Sequence, residues 1–200
     1  MYLLVGLGNP GQEHKQNRHN VGFMCVDEIL KSYGFPPEKS KFSGLLTEGH
    51  VDHEKTYLFK PLTYMNRSGR AVGEASRFFK IPTDHIIVFH DDLDLDSGKV
   101  RVKQGGSHAG HNGLKDLDAH IGASYWRVRI GIGRPAHKGA VVSYVLSDFS
   151  KEEHVWLDPL LPLLADEVHL LFTPSPEDYA AKIMQTLPPP QLKAKGSHGI

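Results

Sequence analysis

Three separate segments of the chain carry side chains suited to acid–base chemistry. The first is Arg18-His19-Asn20-Val21-Gly22, which puts His19 at the expected start of a helix. Near a helix N-terminus the dipole disfavours a charged imidazole, so such a histidine stays available as a general base near neutral pH. The second is His90-Asp91-Asp92-Leu93-Asp94, directly after the apolar run Ile86–Phe89. Carboxylates at the C-terminal end of a strand in an open α/β sheet lie where such sheets bind ligands. The third is Gly105–Gly113, which contains His108, His111 and Asn112 and is too rich in glycine for ordinary packing. Glycines there let backbone approach a ligand closely, or let a loop move as a lid. Asn112 suits either a helix cap or the site itself. A fourth segment, Thr63–Gly69, holds Asn66 ahead of a helix, with Tyr64 and Met65 beside it as a possible apolar wall. Asn66 or Ser68 also fits a plain helix N-cap.

Other chemistries compete for these residues. Asp91, Asp92 and Asp94 are hard oxygen ligands, and His90, His108 and His111 offer nitrogen, so a divalent metal site is one alternative. No H-E-x-x-H or comparable ligand spacing supports it. With 13 histidines in the chain, residue type alone marks none of them. Gly6-Leu7-Gly8-Asn9-Pro10-Gly11 matches a dinucleotide-binding G-x-G-x-x-G after a strand. In that fold, however, the helix opens within the glycines, and an acid about 20 residues on ends a second strand. Here Pro10 and a polar run to Asn17 delay the helix, and Asp27 and Glu28 fall inside it. Cys25 lies on a helix face and reads as core rather than nucleophile.

Positioning these groups requires an α/β fold. Tyr2–Val5 reads as a buried strand and the stretch to Asn17 as a loop. Phe23, Val26, Ile29, Leu30 and Tyr33 recur at helical spacing until Gly34 and Pro36-Pro37. Phe42–Gly49 and Lys55–Lys60 read as a hairpin. Ser68–Lys80 is predicted as a helix with Val72, Ala75, Phe78 and Phe79 on one side, and Ile86–Phe89 as a central strand. Lys99–Lys103 and Trp126–Ile132 alternate as strands, each with two cations on one face. A helix from about Asn112 to His120 lies between them. Pro159 and Pro162 predict a kink or two short helices within Ser150–Phe172. Glu177–Leu187 closes the domain, and the tail from 188 to 200 is expected to be disordered. Strands and helices interleave, so a single domain over residues 1–187 is expected: a mixed, twisted sheet with helices on both faces.

Charge and composition narrow the partners. The 200 residues contain 40% hydrophobic and 23% charged side chains, which suits one globular domain. Net charge is zero, yet the window from Lys99 to Lys138 holds eight Lys/Arg against two acids. A local basic field of that kind suits a phosphate backbone whatever the global total. The single cysteine argues against an oxidising compartment. The N-terminal apolar run is too short for a signal peptide, and no stretch approaches a membrane span, so a cytoplasmic protein is expected.

Taken together, six segments resemble those of the bacterial peptidyl-tRNA hydrolase family. They are VGLGNPG from Val5, RHNVG around His19, TYMNRSG around Asn66, HDDLD around Asp91, GGSHAGHNGLKD around Asn112 and RVRIGIGRP from Arg127. They occur in the family's order across roughly residues 1–150. The resemblance implies hydrolysis of the ester joining a peptide to the tRNA 3′ end, with no cofactor or metal and with a monomer acting on peptidyl-tRNA. It implies roles as well: His19 as general base and Asp91 as the carboxylate that holds it. It puts Asn9 near the first amide of the peptide, Asn66, Asn112 and His111 against substrate, and Tyr64 and Met65 in the adjoining pocket. Lys103 and Arg129 would grip tRNA phosphate. His14 stands where the family usually has a substrate-contacting tyrosine. The competing readings are a tRNA-binding module that uses the basic window alone, and a metal-dependent hydrolase.

Overall fold

A computed structural model describes residues 1–191. Seven strands form one mixed sheet, ordered β2-β3-β4-β1-β5-β7-β6. The strands are β1 (Tyr2–Gly6), β2 (Lys39–Lys41), β3 (Gly44–Val51), β4 (Glu54–Pro61), β5 (Ile86–Asp92), β6 (Val100–Gln104) and β7 (Trp126–Gly131). The inner four, β4-β1-β5-β7, run parallel. The apolar runs Leu3–Val5 of β1 and Ile86–Phe89 of β5, at the centre, match strands buried on both faces. Antiparallel β3 and β2 extend one edge, and antiparallel β6 closes the other.

The helices are α1 (Val21–Ser32), α2 (Ser68–Phe78), α3 (Asn112–Ile121), α4 (Val141–Val145), α5 (Lys151–Asp166) and α6 (Glu177–Thr186). Leu4, Leu58, Ile87 and Phe89 pack one face of the sheet beneath α1, α5 and α6. Leu3, Val5, Phe59 and Val88 pack the other beneath α2 and α3. The expected two-faced α/β architecture is therefore the observed one.

Local expectations fare unevenly. The short edge strand β2 carried no apolar alternation and was not legible. Phe78, expected on the buried side of α2, is 61% exposed. Strand β5 runs on through Asp92, so Asp91 belongs to the strand rather than to the loop after it. α5 continues through Pro159 and Pro162 as one helix of 16 residues. Both prolines lie on its exposed side. The carbonyls they deprive of a partner, those of Val155 and Asp158, belong to exposed residues and can turn to water, which lowers the cost of an interior proline. The expected tail falls mainly on residues 192–200, which lie outside the described residues.

Because the inner strands are parallel, β1, β4, β5 and β7 all end at one edge of the sheet. The start of α1 is drawn against that edge. A Cβ on Gly22 would overlap the Phe89 carbonyl and the Leu7 backbone, and one on Gly6 would overlap the Gly22 carbonyl. These glycines permit close helix–strand contact, and no helix opens within the Gly6–Gly11 motif as a dinucleotide site requires. We expect Gly22→Ala to destabilise the fold by about 2 kcal/mol or more, within the range for overpacking. Calorimetry should then show a Tm lower by roughly 4–8 °C. An unchanged Tm would refute the tight contact.

Candidate active site

At the C-terminal edge of the parallel strands three side chains meet. His19 lies in a 3-10 turn, Arg18–Asn20, immediately before α1. Its Nδ1 is 2.8 Å from Asp91 Oδ2 and 3.0 Å from Oδ1. His111 Nε2 is 2.9 Å from Asp91 Oδ1. Asp91 is only 2% exposed, so both imidazoles serve a buried carboxylate.

Local structure decides which nitrogen carries each proton. His111 is the N-cap of α3: its Nδ1 accepts the backbone N–H groups of Gly113 and Leu114 at 3.1 and 3.3 Å. The sequence had offered Asn112 for that cap. With Nδ1 accepting, the His111 hydrogen sits on Nε2 and is donated to Asp91. His19 likewise donates from Nδ1, so in the neutral ring Nε2 is left as an acceptor beside the cavity.

Burial by itself lowers the pKa of His19, but the charge of Asp91 and the hydrogen bond to it outweigh burial and hold it above its ordinary value. The expected lowering by a helix dipole is therefore overridden by a direct partner. Burial also opposes ionisation of Asp91, yet the two flanking imidazoles hold its carboxyl well below the usual carboxylate range. His90, one residue earlier, faces the other way in the balance. Burial first, then its neighbour His111, pulls its imidazole well below the ordinary value. Its Nδ1 donates to the Asp91 carbonyl at 2.7 Å.

His19, Asp91 and His111 have the residue types of a metal site and lie close enough together. The donor set does not fit one. A metal on His111 Nε2 would need the proton on Nδ1, where two backbone N–H groups already point. Asp92 and Asp94 are engaged too, by Arg129 at 2.8 Å and Arg134 at 2.5 Å.

A cleft of about 600 Å³ opens over this triad. Its lining includes ten of the eleven residues to which the resemblance assigned a role: Asn9, His19, Tyr64, Met65, Asn66, Asp91, Lys103, His111, Asn112 and Arg129. Asn9 is held hard. Asn20 Oδ1 accepts its backbone N–H and Asn20 Nδ2 donates to its carbonyl, both at 2.9 Å. Its side-chain oxygen accepts Met65 N–H at 2.8 Å, which leaves the amide nitrogen as the group offered to the cleft. Met65 is buried, whereas Tyr64 is 68% exposed on the rim. Asn66 and Asn112 are exposed. Val141, Val142, Val145 and Leu146 add an apolar wall from α4, which sequence patterning did not tie to the site.

His14 is not brought to the cleft. Its turn, Gln12–His14, directs Nδ1 to Asn17 Oδ1 at 2.7 Å, and Asn17 in turn donates to Asp148. Two further residues escaped sequence reasoning. Asn20 stood beside His19 with nothing to mark its bonds to Asn9. Buried Arg18 donates to Glu153 and to the carbonyls of Tyr144 and Ser147, anchoring the turn that bears His19. The Ser150–Glu153 capping box is a sequence-visible motif, but its second use as an arginine partner is not.

The basic window also resolves into separate roles. Register places Arg101 opposite Arg129 and Lys103 opposite Arg127, so four cations share one face of β6 and β7. Lys103 and Arg101 are exposed, Arg129 is half-buried, and Arg127 is buried. Cys25 is fully buried, and burial pushes its thiol up, which removes it as a nucleophile.

Comparison with known proteins supplies the family. The sequence pattern of the family described as "Peptidyl-tRNA hydrolase" matches residues 3–194. A peptidyl-tRNA hydrolase of Rhodospirillum centenum is 56% identical, over 96% of this chain and 84% of its own. One from Parvibaculum lavamentivorans is 50% identical over 98% and 96%. A crystal structure of the Acinetobacter baumannii peptidyl-tRNA hydrolase superimposes with a TM-score of 0.84 at 38% identity, covering 94% of each chain. On this likeness of sequence and of structure, the chain belongs to the peptidyl-tRNA hydrolase family.

Proposed function

We propose that this chain hydrolyses the ester between a peptide and the 3′ ribose of its tRNA, using a water activated by His19 and no metal. The observation that carries this reading is the free Nε2 of an imidazole whose other nitrogen is fixed by a buried carboxylate. His19 Nε2 takes a proton from water, and the resulting hydroxide adds to the ester carbonyl. The tetrahedral oxyanion is met by side-chain amide N–H groups from Asn9, Asn66 or Asn112, a contribution on the order of 3 kcal/mol per donor. Collapse breaks the bond to the ribose oxygen, which leaves with the proton held on the imidazolium. Asp91 stabilises that cation and fixes the tautomer. The offered amide of Asn9 suits recognition of the first peptide bond, so that a free amine is spared.

Lys103 and Arg129, on the rim of the cleft, supply contact with tRNA phosphate, and its strength falls with salt. The same reading makes the protein a tRNA-binding monomer of the cytoplasm that returns stalled peptidyl-tRNA to use. Its one buried cysteine suits a reducing compartment. Among the described residues no helix is long and apolar enough to cross a membrane.

The purified chain should release tRNA from an N-blocked aminoacyl-tRNA in the presence of chelator, and His19→Ala should lower kcat by about 10²–10⁴-fold, the usual worth of a general base. Affinity for tRNA should change little. Full activity in the variant, or release only after a divalent ion is restored, would overturn the reading. For Asp91→Asn the side-chain oxygen can keep the His111 hydrogen bond, so the new amide faces His19 Nδ1 and drives the proton to Nε2. Turnover should collapse while the fold persists. The sign of the pH dependence follows from His19 being titrated above its ordinary value. Activity rises with pH as His19 loses its proton, and loss of the Asp91 charge should move that rise to lower pH. A rise at the wild-type position would refute the pairing. Finally, Lys103→Ala should raise KM for full-length substrate more than for a small ester mimic. Equal effects on both would exclude a phosphate contact.

A further inference from the structure

One cation of the basic window is not placed as a phosphate ligand would be. The side chain of Arg127 is 3% exposed. Its Nη1 donates to the Ser107 carbonyl at 2.8 Å, and its Nη2 donates to the Gly106 carbonyl and to Asp118 Oδ1, both at 3.1 Å. The guanidinium lies 4.8 Å from the centre of the Tyr125 ring, and Tyr125 Oη donates to the same Asp118 oxygen at 2.7 Å. One planar fork thus joins β7, α3 and two successive carbonyls of the loop between β6 and α3.

That loop needs holding. Gly105, Gly106, Ala109 and Gly110 all have positive φ, at 68°, 99°, 48° and 80°, and the stretch has no ladder of its own. Left-handed glycines lose the most conformational freedom on ordering, so bonds from outside must fix the loop. Two parts of the site depend on it. At one end it delivers His111 and Asn112. At the other the Lys103 side chain crosses Gly106 so closely that a Cβ there would lie 2.9 Å from its Cε and Nζ.

We propose that Arg127 is a positioning residue that clamps the glycine-rich loop, presenting Lys103 on one side and the His111–Asn112 corner on the other, and is not itself a contact to tRNA phosphate. This rests on the assignment of tRNA as substrate. Lysine cannot replace it, because an ammonium lacks the rigid fork that reaches two carbonyls and a carboxylate together.

Arg127→Lys, which keeps the charge, separates the two roles. A plain phosphate contact needs only the charge and would leave kcat and loop exchange unchanged, since the salt dependence of tRNA affinity counts charges. With an N-blocked aminoacyl-tRNA, kcat should fall roughly ten- to a hundredfold, as misplaced catalytic groups do. Amide hydrogen exchange over residues 105–111 should quicken. Asp118→Asn, which removes the anchor in α3 but leaves the arginine, should quicken exchange in the same loop and serves if Arg127→Lys fails to fold. Wild-type kcat in a folded Arg127→Lys, or loop exchange unchanged in whichever of the variants folds, overturns the proposal. Exchange needs no turnover, so it still decides the role of Arg127 if the unaltered chain fails to cleave peptidyl-tRNA.

Discussion

A buried carboxylate between two imidazoles is the constraint around which this molecule is arranged. Taking a carboxylate out of water costs several kcal/mol even after relaxation, and only well-aligned donors offset it. Asp91 finds them in His19, 72 residues earlier, and His111, 20 residues later. Neither donor is free to drift. His111 is locked by capping α3, and His19 is tied to the sheet by the glycine contact at the start of α1. The parallel strands serve this purpose directly, because they bring the ends of β1, β4 and β5 to one edge, where three loops can meet over one acid.

Around that acid the side chains are held before any substrate arrives. Asn9 is fixed by three hydrogen bonds from two other segments. The turn carrying His19 is fixed by Arg18 against α5 and the segment before it. Preorganisation of this kind matters because dipoles already in place at the developing charge need not reorganise during reaction. It also accounts for the number of buried polar groups close to the edge of the sheet, which a core built for stability alone would replace with apolar ones.

Charge is distributed with the same economy. The basic window is less free than its count implies, since Arg127, Arg129 and Arg134 face Asp118, Asp92 and Asp94. Two of those acids lie outside the window, so a count along the chain overstates the local field. What remains on the exposed face of β6 is a compact pair of cations, Arg101 and Lys103, on a chain of zero net charge. At physiological salt such a patch acts over about 8 Å, which suits a local grip rather than long-range attraction.

Much of this was legible in the chain itself. Periodicity placed α1, the hairpin β3–β4, α3 and β7 to within a few residues, because each buries one face and must repeat at the spacing of that face. The family resemblance also named ten of the cleft's residues. What spacing and residue type could not give were relations between distant segments; the pairing of His19 with Asp91 came from the family resemblance alone. His19 read as a histidine under a helix dipole, and only the approach of Asp91 reversed the sign of its shift. Arg127 and Arg129 looked equivalent, two residues apart on one strand face, yet the first is buried with its fork under the loop and the second is half-buried against Asp92. Asn112 and His111 both suited the cap of α3, and His111 took it where it also meets Asp91. Local spacing determines which face a side chain takes. Its charge, tautomer and partner are decided by whatever the tertiary fold packs against that face, because electrostatic and hydrogen-bond energies depend on distance in space and not on separation along the chain.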